Sequence, residues 1–228
     1  MQTVKRAPKD NKKLRILIVD DHPVVRQGLK LLINQEPDLM VCGEAEDPRK
    51  ALAAIQEQQP DFAIIDLSLA HSSGIDLIKN IKLRCPNLPI LVLSMHDESL
   101  YAERALRAGA RGYIMKQEAP EKVITAIRQV LQGSIYVSDK MGAKMLHSYI
   151  DRPKTTITSS VELLSDRELE VFQLLGKGLG TRQIAEKLNI SVKTVEAYRA
   201  NIKEKLNLKS SSELVQHAIH WALSEELP

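Results

Sequence analysis

The chain has no long apolar run. Its most apolar stretch, Leu88-Pro-Ile-Leu-Val-Leu-Ser-Met95, is strand-sized and far short of the ~18 residues a membrane-spanning helix needs. No apolar core follows the basic N-terminus, so nothing reads as a signal peptide. Cysteine is scarce: Cys42 and Cys85 match no metal or redox spacing and read as small apolar side chains in a reducing compartment. His71 and His96 lack metal-ligand spacing with any partner, which argues against zinc. A strong charge of one sign is also missing. The net charge of +3 comes mostly from residues 1–15, with six Lys/Arg against one Asp. The overall balance therefore makes no case for nucleic acid. These absences leave a cytoplasmic globular protein with no membrane partner, and 228 residues give room for two compact domains.

Along the chain, residues 1–13 read as a flexible tail. From 14 to 134 strand-like and helix-like segments alternate. Strands are expected at 14–19, 40–45, 62–65, 90–94 and 111–114. Helices are expected at 24–34, 48–58, 74–83, 98–108 and 120–131. Asp47-Pro48 is an N-cap followed by a first-turn proline. Strand and helix repeated five times predict an α/β domain, a doubly wound five-stranded parallel sheet. Residues 135–160 form a partly helical linker. Met141, Met145 and Tyr149 share one stripe, and the joint is placed at 152–160. Residues 161–228 read as all-α. Ser165-Asp-Arg-Glu168 is a capping box, Gly176 and Gly178 end that helix, Thr181 caps a short helix, and Ser191 caps a longer one.

Two groups of residues carry chemistry. Asp20 and Asp21 close the first apolar run and Asp66 closes another. In a parallel sheet those ends lie together, where open α/β sheets bind ligands. Three carboxylates there repel unless a cation joins them, and Mg²⁺ suits an all-oxygen set. Asp21, Asp66 and the backbone carbonyl of Ser68 would hold it, with Asp20 acting through water. Asp66 is then the nucleophile for a phosphoryl group. Ser94 and Lys116 follow later strands and offer a hydroxyl and a cation to phosphoryl oxygens. His22 reads as a cap of the next turn. In the C-terminal part, Lys177 to Lys209 holds eight Lys/Arg against three Glu. Helix, tight turn, helix from 181 to 206 fits the major groove of double-stranded DNA. The longer helix presents Lys193, Thr194, Glu196, Ala197, Ala200, Asn201 and Lys203 outward. Glu196 is suited to a cytosine amino group. Lys193, Arg199 and Lys203 are placed as phosphate anchors, and Ser191 and Thr181 present helix N-termini to the backbone.

Residues 14–134 resemble the receiver domain of bacterial two-component response regulators. The matching pieces are Leu17-Ile-Val-Asp-Asp21, Asp66, Gly74, Ser94 and Gly112-Tyr-Ile-Met-Lys116. Residues 161–225 resemble the LuxR-type DNA-binding domain joined to receivers in the NarL/FixJ family, through Leu164-Ser-Asp-Arg-Glu168, Gly178 to Ile190 and Ser191 to Leu206. The resemblance implies a flavodoxin-like receiver, phosphorylation of Asp66 by a histidine kinase, and Mg²⁺ organised by Asp20 and Asp21. It implies Ser94 as switch hydroxyl, Tyr113 as switch aromatic, Lys116 as phosphate-binding lysine, and a homodimer on promoter DNA when active. Such a receiver is no enzyme beyond its own phosphorylation and dephosphorylation. Where the family commonly has proline four residues past the acceptor, this chain has Ala70. Two other functions fit the residues less well. One is a phosphate-independent DNA binder or adaptor using the receiver as a dimer module. The other is an aspartyl-phosphate phosphatase, for which no second catalytic acid is visible.

Overall fold

The computed structural model describes residues 13–69, 72–150 and 160–225. The expected tail, the Ala70 departure, His71 and most of the expected joint at 152–160 lie outside them. The chain forms two compact units, divided between Leu146 and His147.

In the first unit β1 (Leu14–Val19), β2 (Leu39–Ala45), β3 (Phe62–Ile65), β6 (Ile90–Ser94) and β7 (Gly112–Met115) make one sheet in the order β2-β1-β3-β6-β7. Every ladder in it is parallel. The last strand starts one residue later than its apolar pattern predicts. A short antiparallel pair, β4 (Ser68–Leu69) and β5 (Ser72–Ser73), follows β3; two-residue strands carry no periodicity, so nothing in the sequence announces them.

Alternation along each strand builds two cores. Ile16, Ile18, Phe62, Ile64, Leu91 and Leu93 pack with Leu29 and Ile33 of α1 (Pro23–Asn34) and Val123, Ile127 and Val130 of α5 (Pro120–Leu131). The intervening Leu17, Val19, Ala63, Ile65 and Val92 are equally buried, on the side of α2 (Pro48–Gln58), α3 (Gly74–Arg84) and α4 (Glu98–Arg107). Helix starts follow the capping rules. Asp47 accepts from the Lys50 N–H ahead of Pro48, and Asp97 accepts from the Ser99 N–H.

The residues expected to begin the linker pack on this unit. Tyr136 pairs with the β7 edge through Tyr113 N–H to Tyr136 O at 2.8 Å and Tyr136 N–H to Arg111 O at 3.0 Å. Met141, on α6 (Asp139–Ile150), is buried. Tyr136 thus covers part of a sheet edge that would otherwise stay open.

The second unit opens with a 3-10 turn at Ser160–Leu163 and continues as α7 (Asp166–Gly176), α8 (Thr181–Leu188), α9 (Val192–Lys205) and α10 (Ser211–Glu225). The Ser165/Glu168 capping box is formed in both directions, at 2.7 and 3.4 Å. Phe172 is the centre of the core, its ring 5.5 Å from Trp221 and 5.8 Å from His217. A Cβ on Gly176 would lie 2.6 Å from Ala218 O, so a glycine permits the close crossing of α7 and α10. Asn189 takes the left-handed conformation (φ 52°) between α8 and α9, a turn that asparagine tolerates. No helix among the described residues is long and apolar enough to cross a membrane.

Candidate functional site

The strand register sets the site. The Asp66 N–H donates to Val19 O at 2.8 Å and the Lys116 N–H to Ser94 O at 2.9 Å. The ends of β1, β3, β6 and β7 are thus side by side, as the sheet requires. Asp20, Asp66 and Ser94 are buried, and Asp21 is half-buried.

Lys116 Nζ sits 2.7 Å from Asp20 Oδ2 and 2.6 Å from Asp66 Oδ2. Burial opposes the ammonium, but the two carboxylates outweigh it and hold the lysine pKa above its usual value. Burial also pushes the Asp66 carboxyl up, with Lys116 offsetting part of that rise. The fixed charge here is the ammonium, because both neighbouring acids favour it. Asp66 Oδ1 accepts from the Ser68 N–H at 3.1 Å, so both oxygens of the acid are oriented.

His22 differs from expectation. It occupies the N-cap place of α1 but makes no side-chain cap. Its ring turns to the acids, with Nδ1 2.7 Å from Asp21 Oδ1 and 3.3 Å from Asp20 Oδ1. Asp21 Oδ1 is nonetheless buried without a well-aligned hydrogen bond among the described residues. Donor atoms of Asp20, Asp21, His22 and Asp66 all lie within 4.8 Å of one another. A group so dominated by carboxylate oxygens suits a hard cation, and Mg²⁺ fits it.

Gly74 fixes the floor of the pocket. A Cβ there would lie 2.3 Å from Asp66 O and 2.5 Å from Leu67 Cα, so only glycine lets α3 start against the end of β3. Ser94 and Tyr113 meet through His96. The His96 N–H donates to Ser94 Oγ at 3.3 Å, and the Tyr113 hydroxyl donates to His96 O at 2.8 Å. The His96 ring stacks on Tyr101 at 4.5 Å and its Nε2 is 2.9 Å from Ser68 Oγ. Tyr113 is fully buried, and burial pushes its phenol well above the usual range. The resemblance implies Tyr113 as the switch aromatic, and in this structure its ring is already inside. Its hydroxyl is the polar group that needed a buried partner, and the His96 carbonyl supplies it.

In the second unit, Lys193, Glu196, Ala197, Ala200 and Asn201 are exposed on α9, and Thr194 and Lys203 are half-buried. Ser191 caps α9, its Oγ accepting from the Thr194 N–H at 3.0 Å and lying 2.7 Å from Thr194 Oγ1. One expectation is corrected. Thr181 does not cap α8: Gly180 holds the N-cap place, where its N–H donates to Gln183 Oε1 at 2.8 Å. Thr181 is the first helical residue instead, and its hydroxyl accepts from Arg199 Nη1 at 2.5 Å. Arg199 is therefore drawn inward and is 15% exposed.

Known proteins share this pair of domains. Residues 16–128 match the response regulator receiver domain, and residues 162–218 match the luxR family of bacterial regulatory proteins. The chain is 40% identical over 217 residues to the oxygen regulatory protein NreC of Staphylococcus epidermidis, covering 93% of this chain and 100% of that protein. The chain belongs to the LuxR-type response regulators. NreC of Staphylococcus carnosus is 40% identical over 210 residues, covering 90% of this regulator and 97% of that one. The RcsB response regulator of Salmonella typhimurium superposes with a TM-score of 0.64 at 27% identity, over 92% of this chain and 98% of that one. RcsB of Salmonella enterica serovar Typhimurium bound to promoter rprA in the presence of the phosphomimetic BeF3- gives 0.60 at 28% identity, over 91% and 98%. In this response regulator the sheet unit is the receiver, and the four-helix unit is the LuxR-type DNA-binding domain.

Proposed function

We propose that the protein is a cytoplasmic transcriptional regulator switched by phosphorylation of Asp66. One observation carries the reading: a buried carboxylate at the end of β3, flanked by Asp20 and Asp21 and bridged by Lys116. A structural ion pair would need one acid per lysine. Here one buried ammonium bridges Asp20 and Asp66, and Asp21 stands beside them as a third acid; the excess negative charge suits a site that takes up a cation.

Asp66 attacks the phosphorus of a phosphohistidine on a histidine kinase. The P–N bond breaks, the imidazole nitrogen keeps the electron pair and takes a proton, and an acyl phosphate forms on the carboxylate. Asp21, Asp66 and the Ser68 carbonyl would hold Mg²⁺, with Asp20 acting through water. When bound, Mg²⁺ neutralises the phosphoryl oxygens. Lys116 is already on Asp66, so it passes to a phosphoryl oxygen with little movement. Ser94 gains a bond to the phosphoryl group by leaving the His96 N–H. Hydrolysis of the acyl phosphate by water returns the starting state, so the receiver is no enzyme toward other substrates.

The altered surface favours a two-fold homodimer on promoter DNA, with α9 in the major groove. RcsB bound to promoter rprA in the presence of BeF3- supports that output. The test is a DNA-binding titration of the full chain with and without a small acyl phosphate and Mg²⁺, repeated with Asp66→Asn. The phosphodonor should tighten binding for the natural chain alone. Equal tightening of Asp66→Asn, or acid-labile label at another residue, overturns the assignment.

A further inference from the structure

We propose that Arg199 is a positioning residue for DNA recognition, which ties the first turn of α8 to the middle of α9 and orients Glu196. This rests on the reading that α9 enters the major groove, and it assigns to Arg199 a role other than holding a phosphate.

The geometry separates Arg199 from its neighbours. Its side chain is 15% exposed while Glu196 is 57% exposed. Nη1 reaches Thr181 Oγ1 at 2.5 Å and stands 3.8 Å from Glu196 Oε1. Nε is buried with no hydrogen-bond partner among the described residues. A guanidinium is a rigid planar fork, so the nitrogen that faces Thr181 also fixes where charge stands beside Glu196. Swinging the group out to a phosphate would break the Thr181 bond.

The place of that bond explains its use. The N-cap of α8 is Gly180, which has no side chain to accept from the helix start, and among the described residues Gln183 reaches back to it. The Arg199 bond to Thr181 adds a tether from α9 at that weak point. One guanidinium thus links the end of α8 that faces the DNA backbone to the carboxylate that faces the bases. Glu196 is a long, exposed side chain on the reading face of α9, beside the small residues Ala197 and Ala200. Left alone it would sample many rotamers, and base readout requires one of them. A cation three residues along the same helix narrows that choice.

The test uses the full chain, treated with a small acyl phosphate and Mg²⁺. The natural chain selects duplexes from a pool of random sequence. The preferred duplex and its single-base-pair variants are then titrated over a series of salt concentrations. Glu196→Gln identifies the base pair that Glu196 reads. Arg199→Lys keeps the charge but loses the fork, and Thr181→Val removes only the tethering hydroxyl. Both should reduce discrimination at that same base pair by about fivefold or more, with the slope of log affinity on log salt unchanged. A phosphate anchor behaves differently: Arg199→Gln would lower the slope by about one and weaken every duplex alike. That result overturns the proposal, as does full discrimination in Thr181→Val, a variant whose folding does not depend on replacing the arginine. If the natural chain selects no duplex, the DNA-reading role of α9 fails first and this inference falls with it.

Discussion

Lys116→Met removes one charge from the receiver pocket and keeps most of the side-chain volume. Lys116 is 8% exposed, and the two acids it bridges, Asp20 and Asp66, are 2% and 1% exposed. Removing one partner from a buried ion pair costs about 3–5 kcal/mol, because the remaining charge is uncompensated. For a chain of this size that lowers the receiver transition by about 10 °C at neutral pH. The pH dependence has a definite sign. Burial already lifts Asp66, and loss of the ammonium lifts it further. A carboxyl whose folded pKa exceeds its unfolded value of ~3.9 loses stability as pH rises from there through the folded value. The variant's deficit should therefore be smallest near pH 4 and largest at pH 7 and above. A cation that binds the acids restores the missing charge, and saturation at 100 times its Kd adds about 2.7 kcal/mol. Thermal unfolding of the full chain, followed across pH with and without Mg²⁺, tests all three points. The variant should gain more from Mg²⁺ than the natural chain, whose ammonium already neutralises part of the site. Equal melting at pH 7, or equal gains from Mg²⁺, would refute the electrostatic account.

Three other outcomes are expected. Gly74→Ala puts a Cβ against Asp66 O and Leu67 Cα, at about 1–3 kcal/mol of overpacking; phosphoryl incorporation from a small acyl phosphate should slow at least about tenfold, and normal incorporation with normal melting would contradict the close approach. Glu168→Gln keeps an acceptor for the Ser165 N–H but loses the charge beside Lys205, 2.6 Å away. Lys205 is 39% exposed, so solvent screening limits the cost to about 1 kcal/mol. Burial raises the Glu168 pKa, yet Lys205 and Ser165 outweigh it and hold it below the usual carboxylate range. Its stabilisation is thus present above pH ~4.5 and lost as pH falls through the folded value, and urea melts of variant and natural chain should converge in acid. Tyr113→Phe removes the hydroxyl that donates to His96 O; the effect of the phosphodonor on DNA affinity should shrink a few-fold, and an unchanged ratio would exclude that bond from the switch.

The parts legible in the sequence are those set by local rules. Strands ending in Asp20 and Asp66 show as apolar runs closed by acids, and parallel pairing brings such ends together without further information. Asp47, Ser165 and Ser191 are found as caps because a cap is decided within four residues. What escaped depends on partners far along the chain or on geometry with no residue code. The bond from Arg199 to Thr181 spans 18 positions, and each residue alone suits its expected role, a basic anchor and a threonine cap. The link that His96 makes between Ser94 and Tyr113 escaped because it lies in the backbone: the N–H and C=O that meet them are the same in any residue. The inward place of Tyr113 follows from packing against its neighbours, which periodicity on a four-residue strand cannot report. Gly74 is different, since in the sequence it is the first residue of an expected helix and a piece of the receiver resemblance. Only the structure shows that it is the end of β3 that presses on it.

The energies limit what such a switch can do. From Ser94 the bonds run to the His96 N–H, from the His96 carbonyl to Tyr113, and at the start of α4 from Glu98 Oε1 to the Ser138 N–H at 2.8 Å. The last joins the first turn of α4 to the segment that leads into α6. Each bond contributes only about 0.5–1.5 kcal/mol net. A phosphoryl group that draws Ser94 inward exchanges one such bond and disturbs the next, so the coupling available is about 1–3 kcal/mol, or roughly 5–150-fold in an equilibrium. That is too small to turn a shut protein fully open, which takes a ~10⁴-fold difference between states. Applied to each of two subunits in a dimer, however, the same bias counts twice. A modest rearrangement beside Asp66 is then enough to change occupancy of a DNA site steeply, provided that pairing of two chains is part of the response.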